Sequence, residues 1–244
     1  MSPSAIAEQA ITAGLDLIAI SDHNAAGNST ALKEYSRVQA GEISCFYGIE
    51  AQTREEVHIL CLFDEAGAAL DFGDFLDGYL PPVENDEEYF GMQLIVDEHE
   101  EVKQKVDKLL SNSLNLSTTQ LARKTYEYGG VAIPAHICRQ AYGIVTQLGF
   151  IPTIEGEPFE ALELSAETGM EKLKQLVPDW KQFGIVKFSD AHTLDQIGKI
   201  STLFAMEEPT IEEFRKALRG DEDRGILEYR KNQEPAEENN GPES

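Results

Sequence analysis

The chain has 244 residues, 41% of them hydrophobic, and a formal net charge of −24, a length that suits one large α/β domain of about 200–250 residues. It contains no run of about 18 apolar residues and no basic, apolar N-terminal signal, which predicts a cytoplasmic protein without a membrane span or membrane partner. The acidic balance excludes a broad nucleic-acid surface, which needs clustered Lys and Arg, but not an acidic substrate held through a divalent metal.

The first predicted element is a helix that Ser2 caps, that begins at Pro3 and that ends before Gly14. Residues 15–20 follow as a short, nearly all-apolar run, which is typical of a strand buried on both faces. Similar runs predict six further strands, at residues 43–49, 58–63, 131–133, 161–164, 185–188 and 202–206.

Helical patterns fall between several of these strands, at residues 66–79, 98–110, 118–128, 169–177 and 210–218. Alternating strands and helices predict a mainly parallel sheet, either open or closed. Residues 80–101 are less regular and are interpreted as an excursion. We therefore expect one barrel domain over residues 1–230, followed by a polar, acidic tail at 231–244 that is predicted to be disordered.

Potential metal ligands follow several predicted strands. Three of the five histidines come within a few residues of a strand, and a fourth strand ends at a glutamate: His23, His136, His192 and Glu50. Strand ends of parallel α/β folds share one face, so these groups are expected to converge. A lone histidine is more often a core residue, but three such positions, two with an aspartate just before them (Asp22 and Asp190), favour a Zn²⁺, Mn²⁺ or Fe site.

Two other histidines are less clear. His58 begins a predicted strand eight positions after Glu50, so spacing alone leaves it open between ligand and core residue. His99 lies in a charged stretch that is predicted to be helical, and it is interpreted as solvated. The chain has no GxGxxG, GxxxxGK[ST] or GxSxG pattern, which argues against a nucleotide loop or a serine hydrolase.

Four segments, in order, resemble the motifs of the PHP (polymerase and histidinol phosphatase) family: GLDLIAISDHN, FYGIEAQTREEVHIL, PAH and FSDAH. The resemblance implies that six residues are metal ligands, namely His23, Glu50, His58, His136, Asp190 and His192. Asp22 matches the family pattern as an outer-sphere or proton-handling group. Arg139, just after His136, is interpreted either as a contact to a substrate phosphate or as a surface helix cation.

The resemblance also implies a fold, a cofactor and an activity. The fold is a distorted (β/α)7 TIM-like barrel, and the cofactors are up to three divalent metals, Zn, Mn or Fe. The activity is hydrolysis of phosphate esters of small phosphorylated substrates, in the nearest branch nucleotides or oligonucleotide ends. Two alternatives stay open: a degenerate PHP domain that binds a metal or partner without catalysis, and a histidinol-phosphate phosphatase.

The start of the chain departs from the family pattern. Family members begin with a strand that carries an H-x-H motif, whereas this chain starts at Met1-Ser2-Pro3 and has no H-x-H. We expect a barrel without its first strand, and weak or absent activity for these residues alone. A start codon assigned at an internal Met is favoured over a true loss, because deleting a central strand would expose a neighbouring strand edge.

Overall fold

A computed structural model describes residues 1–37 and 43–231 of the chain. The α-helices in this part are Pro3–Thr12 (α1), Gly27–Tyr35 (α2), Ala66–Asp77 (α3), Glu87–Phe90 (α4), Thr118–Glu127 (α5), Ile144–Leu148 (α6), Met170–Leu176 (α7) and Ile211–Arg219 (α8). The strands are Leu17–His23 (β1), Ser44–Gln52 (β2), His58–Phe63 (β3), Leu94–Val96 (β4), Val102–Lys105 (β5), Val131–Pro134 (β6), Ala161–Glu163 (β7), Gly184–Val186 (β8), Ile200–Ala205 (β9) and Gly225–Lys231 (β10). The predicted disordered tail lies outside the described residues, except for Lys231, which ends β10.

The main sheet is mixed, so the prediction of a mainly parallel sheet is only partly correct. Its strand order is β1-β2-β3-β6, in which β1 and β2 are parallel and β3 is antiparallel to both of its neighbours. The connection from β2 to β3 is a short turn closed by the N–H of Thr53 on the carbonyl of Val57 (2.9 Å). A turn of this length joins antiparallel strands, because a parallel pair needs a crossover of a dozen or more residues.

The remaining strands form three two-stranded sheets, β7 with β8 (parallel), and β9 with β10 and β4 with β5 (antiparallel). The described residues therefore form a mixed α/β fold without a closed barrel, and the expected (β/α)7 barrel is not confirmed. Strand β1 stands at one end of the main sheet, and its outer edge pairs with no strand in the described part of the chain.

The start of α1 agrees with the cap that the sequence indicates, and α8 begins with a similar cap. The hydroxyl of Ser2 accepts the N–H of Ala5 at the start of α1 (3.5 Å), and that of Thr210 accepts the N–H of Glu213 at the start of α8 (3.3 Å). Side-chain oxygens at these positions satisfy N–H groups that the first helical turn leaves unpaired. Side-chain hydrogen bonds from the N-cap residues thus define where both helices begin.

The helix predicted at residues 98–110 is wrong. This segment instead contains β5, which pairs with β4 in a hairpin, and His99 lies exposed in the connecting turn. The carboxylate of Asp97 accepts the N–H groups of His99 (3.0 Å) and Glu101 (2.9 Å), and Glu100 has a positive φ of 65°. An aspartate that binds its own following backbone in this way favours a turn over a helix.

Helix α2 was not predicted, because its first residues are poor helix formers. Tertiary contacts stabilise it instead: Leu32 is fully buried, and the hydroxyl of Ser29 lies within hydrogen-bond distance of the carbonyl oxygens of Ile20 (2.7 Å) and Gly48 (2.9 Å). These contacts attach α2 to β1 and β2. Among the described residues, no helix is long and apolar enough to cross a membrane.

Candidate metal centre

Glu50 lies at the centre of a group of three histidines. Its Oε1 is 3.3 Å from Nδ1 of His58 and 3.4 Å from Nε2 of His136, and its Oε2 is 3.6 Å from Nδ1 of His23. His23 pairs with Glu50 across β1 and β2, while His58 is the first residue of the antiparallel β3. The reversed direction of β3 places its beginning at the edge where β1 and β2 end. Sequence spacing alone did not resolve the position of His58.

The atoms of this group are arranged as metal ligands would be. One ligand atom each from His23, Glu50 and His58 lie within 4.8 Å of one another. Nδ1 of His23, Nδ1 of His58 and both ring nitrogens of His136 are buried and have no hydrogen-bond partner among the described residues. Buried polar atoms normally have a partner, and a divalent cation held between imidazoles and a carboxylate supplies one. The residues present therefore fit a metal ion.

Gln52 determines which nitrogen of His58 is available to a metal. Its Oε1 lies 3.3 Å from Nε2 of His58, and its amide nitrogen donates to the hydroxyl of Ser113 (2.7 Å). The amide oxygen therefore faces the ring and favours a proton on Nε2 of His58, which leaves Nδ1 as the nitrogen that a metal would bind. The ring of Tyr142 stacks on the same imidazole, with centroids 4.2 Å apart. Neither Gln52 nor Tyr142 stands out in the sequence.

The electrostatics favour the protonation states that bind metals. Burial alone would raise the pKa of Glu50, but the facing imidazoles of His136, His58 and His23 hold this pKa below its usual range. Burial lowers the pKa of His23 more than the neighbouring Glu50 raises it. At neutral pH the group therefore combines an ionised carboxylate with a neutral imidazole at His23, and these forms accept a cation without first releasing a proton.

The predicted ligands after β8 lie apart from this compact group. Asp190 has a positive φ of 45°, and its Oδ2 accepts a hydrogen bond from Nη2 of Arg139 (2.7 Å). Its side chain lines a cavity of about 550 Å³ that Glu50 also lines. His192 is largely exposed, and its Nδ1 lies 2.9 Å from the carbonyl oxygen of Asp190. Arg139 is in the loop after β6 and not on a helix.

Asp22 points away from the histidine group. Successive residues of a strand face opposite sides, and the carboxylate of Asp22 accepts a hydrogen bond from the amide of Asn28 on α2 (2.8 Å), while the neighbouring His23 faces Glu50. Burial raises the pKa of Asp22. The outer-sphere or proton-handling role that the family resemblance implies for Asp22 stays a prediction.

Asn24, directly after β1, binds the segment between β5 and α5 and does not stand out in the sequence. Its amide nitrogen donates to the carbonyls of Leu110 (2.6 Å) and Asn112 (2.9 Å), and its Oδ1 accepts the N–H of Gln52 (3.1 Å). The only signal for it was its place at the end of the SDHN run. Through these bonds Asn24 joins the segment between β5 and α5 to the end of β2 that carries Glu50.

Glu163, the last residue of β7, also escaped the sequence analysis and should make stability depend on pH. Burial raises its pKa to about 8; the backbone N–H of His136 opposes this shift, and the charges of Asp190 and Glu50 add to it. Between the ordinary carboxyl pKa and about 8, the metal-free folded protein binds a proton that the unfolded chain has released, so Glu163 makes the free energy of unfolding fall as pH rises. Relative to wild type, Glu163→Gln should gain about 3–4 kcal/mol between pH 5 and pH 8.

Urea unfolding in EDTA at both pH values measures this difference. Comparison with wild type at each pH cancels the opposite contribution of His23, whose lowered pKa makes stability rise with pH in the same window. A difference that stays constant between the two pH values would contradict the prediction.

Comparison with known proteins gives matches at both sequence and structure level. A family model described as PHP-associated matches residues 189–222. The uncharacterised protein YqxK of Bacillus subtilis (strain 168) is 31% identical over 113 residues, which are 44% of this chain and 28% of YqxK. The chain therefore spans less than a third of that relative.

Solved structures share the fold over nearly the whole chain. The lesion-specific endonuclease PfuEndoQ of Pyrococcus furiosus aligns with a TM-score of 0.68 and 20% identity, over 94% of this chain and 54% of that protein. An Endonuclease Q bound to a 27-mer duplex substrate with an abasic lesion at its active site aligns with a TM-score of 0.65 and 20% identity, over 91% of this chain and 52% of that one. A candidate metal-dependent phosphoesterase from Bifidobacterium adolescentis aligns with a TM-score of 0.51 and 16% identity, over 91% of this chain and 88% of that protein.

The fold and the histidine–glutamate group together define a mixed α/β protein with a candidate metal centre. The PHP-associated match and the shared fold confirm the resemblance to the PHP family that the four sequence motifs indicate. The chain spans about half the length of the Endonuclease Q proteins that it matches.

Proposed function

We propose that this chain carries the metal-binding core of a PHP-type hydrolase that cleaves phosphate esters in nucleotides or at oligonucleotide ends. The observation that carries the proposal is the group around Glu50, in which buried imidazole nitrogens face a carboxylate and have no hydrogen-bond partner among the described residues. The structural neighbours, an endonuclease and a candidate metal-dependent phosphoesterase, support the reaction class.

In this proposal the ligands of up to three Zn, Mn or Fe ions come from the six positions His23, Glu50, His58, His136, Asp190 and His192. Such ions lower the pKa of a bound water and neutralise the charge that develops on phosphoryl oxygens. Gln52 and Tyr142 hold the imidazole of His58 in place. Asp22, behind His23 on β1, serves as the proton-handling group of the outer sphere.

Arg139 is the proposed phosphate-binding residue. Its guanidinium is part-exposed beside the cavity that Asp190 lines, and the carboxylate of Asp190 orients it. Guanidinium groups bind phosphate oxygens through paired, charge-assisted hydrogen bonds. A substrate phosphate at this position would lie between the cation of Arg139 and the metal ligands.

The negative charge of the protein restricts which groups can attract a nucleic-acid substrate. At a net charge of −24 the protein surface repels a polyanion, so attraction must come from the bound metals and from local cations such as Arg139. Salt screens that repulsion, and we therefore expect activity on oligonucleotides to rise with ionic strength rather than fall as it does for basic nucleic-acid-binding proteins.

A panel of phosphate esters with Mn²⁺ or Zn²⁺ tests the proposal. It contains a duplex with an abasic site, an end-phosphorylated oligonucleotide, a nucleoside monophosphate and histidinol phosphate. We expect turnover of a nucleotide or oligonucleotide ester that EDTA abolishes. Preference for histidinol phosphate would favour the alternative of a histidinol-phosphate phosphatase. Tight metal binding without turnover of any ester would favour a degenerate PHP domain without catalysis.

Arg139→Ala is expected to raise KM for the active ester by about 10-fold, with a smaller change in kcat, because it removes a charge-assisted contact to the phosphate in a part-exposed site. Arg123→Ala is the matched control, since Arg123 is an exposed arginine that pairs with Glu127 on α5. Steady-state kinetics of both variants would contradict the assignment if they gave equal KM values.

A further inference from the structure

Glu163 is a buried carboxylic acid that none of the sequence motifs includes. It is the last residue of β7 and only 4% exposed, and it lines the cavity that Glu50 and Asp190 also line. Acidic side chains are almost never buried this fully without a charged partner or dedicated hydrogen bonds. We therefore expect Glu163 to have specific hydrogen-bond partners at the end of β7.

Both the side chain and the main chain of Glu163 bind the backbone after β6. Its Oε2 accepts the N–H of His136 (3.2 Å), and its carbonyl oxygen accepts the N–H of Ile137 (3.0 Å). One residue of β7 thus holds two successive N–H groups directly beyond the end of the neighbouring strand. These bonds fix the direction in which the chain leaves β6.

The residue held in this way has an unusual backbone conformation. His136 has a φ of 34°, in the left-handed region that costs a residue with a side chain about 1–2 kcal/mol. Such conformations persist where the surroundings fix them, and they cluster at functional sites. In this conformation the imidazole of His136 is 1% exposed and its Nε2 lies 3.4 Å from Oε1 of Glu50.

We propose that Glu163 is a positioning residue of the metal centre, which accepts the backbone N–H of His136 and so directs its imidazole toward Glu50. The inference rests on the proposed metal site, because it assigns Glu163 a role through one of that site's ligands. Hydrogen-bonding partners of metal ligands typically contribute about 10–100-fold to metal affinity.

Two substitutions separate this role from a direct ligand and from simple packing. Glu163→Gln keeps an oxygen that accepts the N–H of His136 but cannot ionise to bind a cation, whereas Glu163→Leu keeps the volume and removes the acceptor. Zn²⁺ affinity, measured by competition with a chromophoric chelator, should stay within about 3-fold of wild type for Glu163→Gln and fall about 10–100-fold for Glu163→Leu. Melting curves in EDTA check that both variants fold, and Glu163→Ala replaces Glu163→Leu if leucine prevents folding.

A second measurement needs no metal. Amide hydrogen exchange in EDTA should show protection of the His136 N–H in wild type and Glu163→Gln, and at least about 10-fold less protection in Glu163→Leu. Equal loss of Zn²⁺ affinity in both variants would overturn the proposal in favour of a direct ligand. Wild-type affinity and protection in Glu163→Leu would overturn it in favour of packing. If wild type binds no metal, the proposed function fails, while the exchange data still decide whether Glu163 holds His136.

Discussion

Glu50→Gln is expected to lower the affinity of the protein for Zn²⁺ or Mn²⁺ by at least about 100-fold, because partners of ligands alone already contribute about 10–100-fold. Among the described residues, Glu50 is the one carboxylate that contacts the imidazoles of His23, His58 and His136, at 3.3–3.6 Å. An amide removes the negative charge at the centre of the imidazoles, which would attract a divalent cation. Hydrolysis of any ester that wild type cleaves should fall with it.

Glu56→Gln is the matched control for this substitution. Glu56 is an exposed glutamate in the turn between β2 and β3, six positions from Glu50, and the same change there should leave metal affinity unaltered. Isothermal titration with Zn²⁺ and Mn²⁺ measures both variants. If Glu50→Gln bound the metal as tightly as wild type, Glu50 would not be a metal ligand, and the proposed function would lose its main support.

The same substitution has a signature in the metal-free protein. The facing imidazoles hold the pKa of Glu50 below its usual range, so the ionised carboxylate stabilises the fold above the ordinary carboxyl pKa, and this contribution is lost as pH falls toward the lowered value. Glu50→Gln should therefore destabilise the EDTA-treated protein more at pH 7 than at pH 4. Denaturant unfolding at the two pH values measures the difference.

Much of the candidate centre could be predicted because strand ends are visible in sequence. Short apolar runs followed by polar residues place His23, Glu50 and His136 at one edge of a sheet, and the structure brings these three together. The position of His58 could be predicted only from the direction of β3, which the short turn after Gln52 determines. The side chain of His192 is exposed and lies outside the compact group, so its role as a ligand stays a prediction.

The features that escaped prediction depend on tertiary contacts. In the sequence Glu163 is a single acidic residue in an apolar run. Its hydrogen bond to the N–H of His136 becomes visible only when β7 lies beside β6. The hairpin at β4–β5 replaced a predicted helix because the Asp97 carboxylate stabilises a turn that periodicity does not reveal. The direction of each strand likewise depends on its connections, which is why a parallel barrel was expected where the described residues form a mixed sheet.

Gly48→Ala is expected to destabilise the protein by about 1–3 kcal/mol, as overpacking of a tight contact does, and to weaken metal binding as well. A Cβ at this position would lie 2.5 Å from the carbonyl oxygen of Ile20 and 2.7 Å from the hydroxyl of Ser21. The carbonyl oxygen is backbone of β1 and cannot rotate away, so the β1–β2 pair must shift. Glu50 is two residues further along the same strand, and its alignment with His23 depends on that pairing.

Gly67→Ala supplies the comparison, because Gly67 lies in α3 and an added Cβ there would meet no atom within 4 Å. Alanine should stabilise that helix by about 0.4–1 kcal/mol. Denaturant unfolding in EDTA gives the stability of both variants, and Zn²⁺ titration shows whether the loss in Gly48→Ala reaches the metal centre. Lower stability with unchanged Zn²⁺ affinity would mean that the centre tolerates a shift of β1 against β2. Loss of both would show that the close approach of these strands at Gly48 sets the distance between His23 and Glu50.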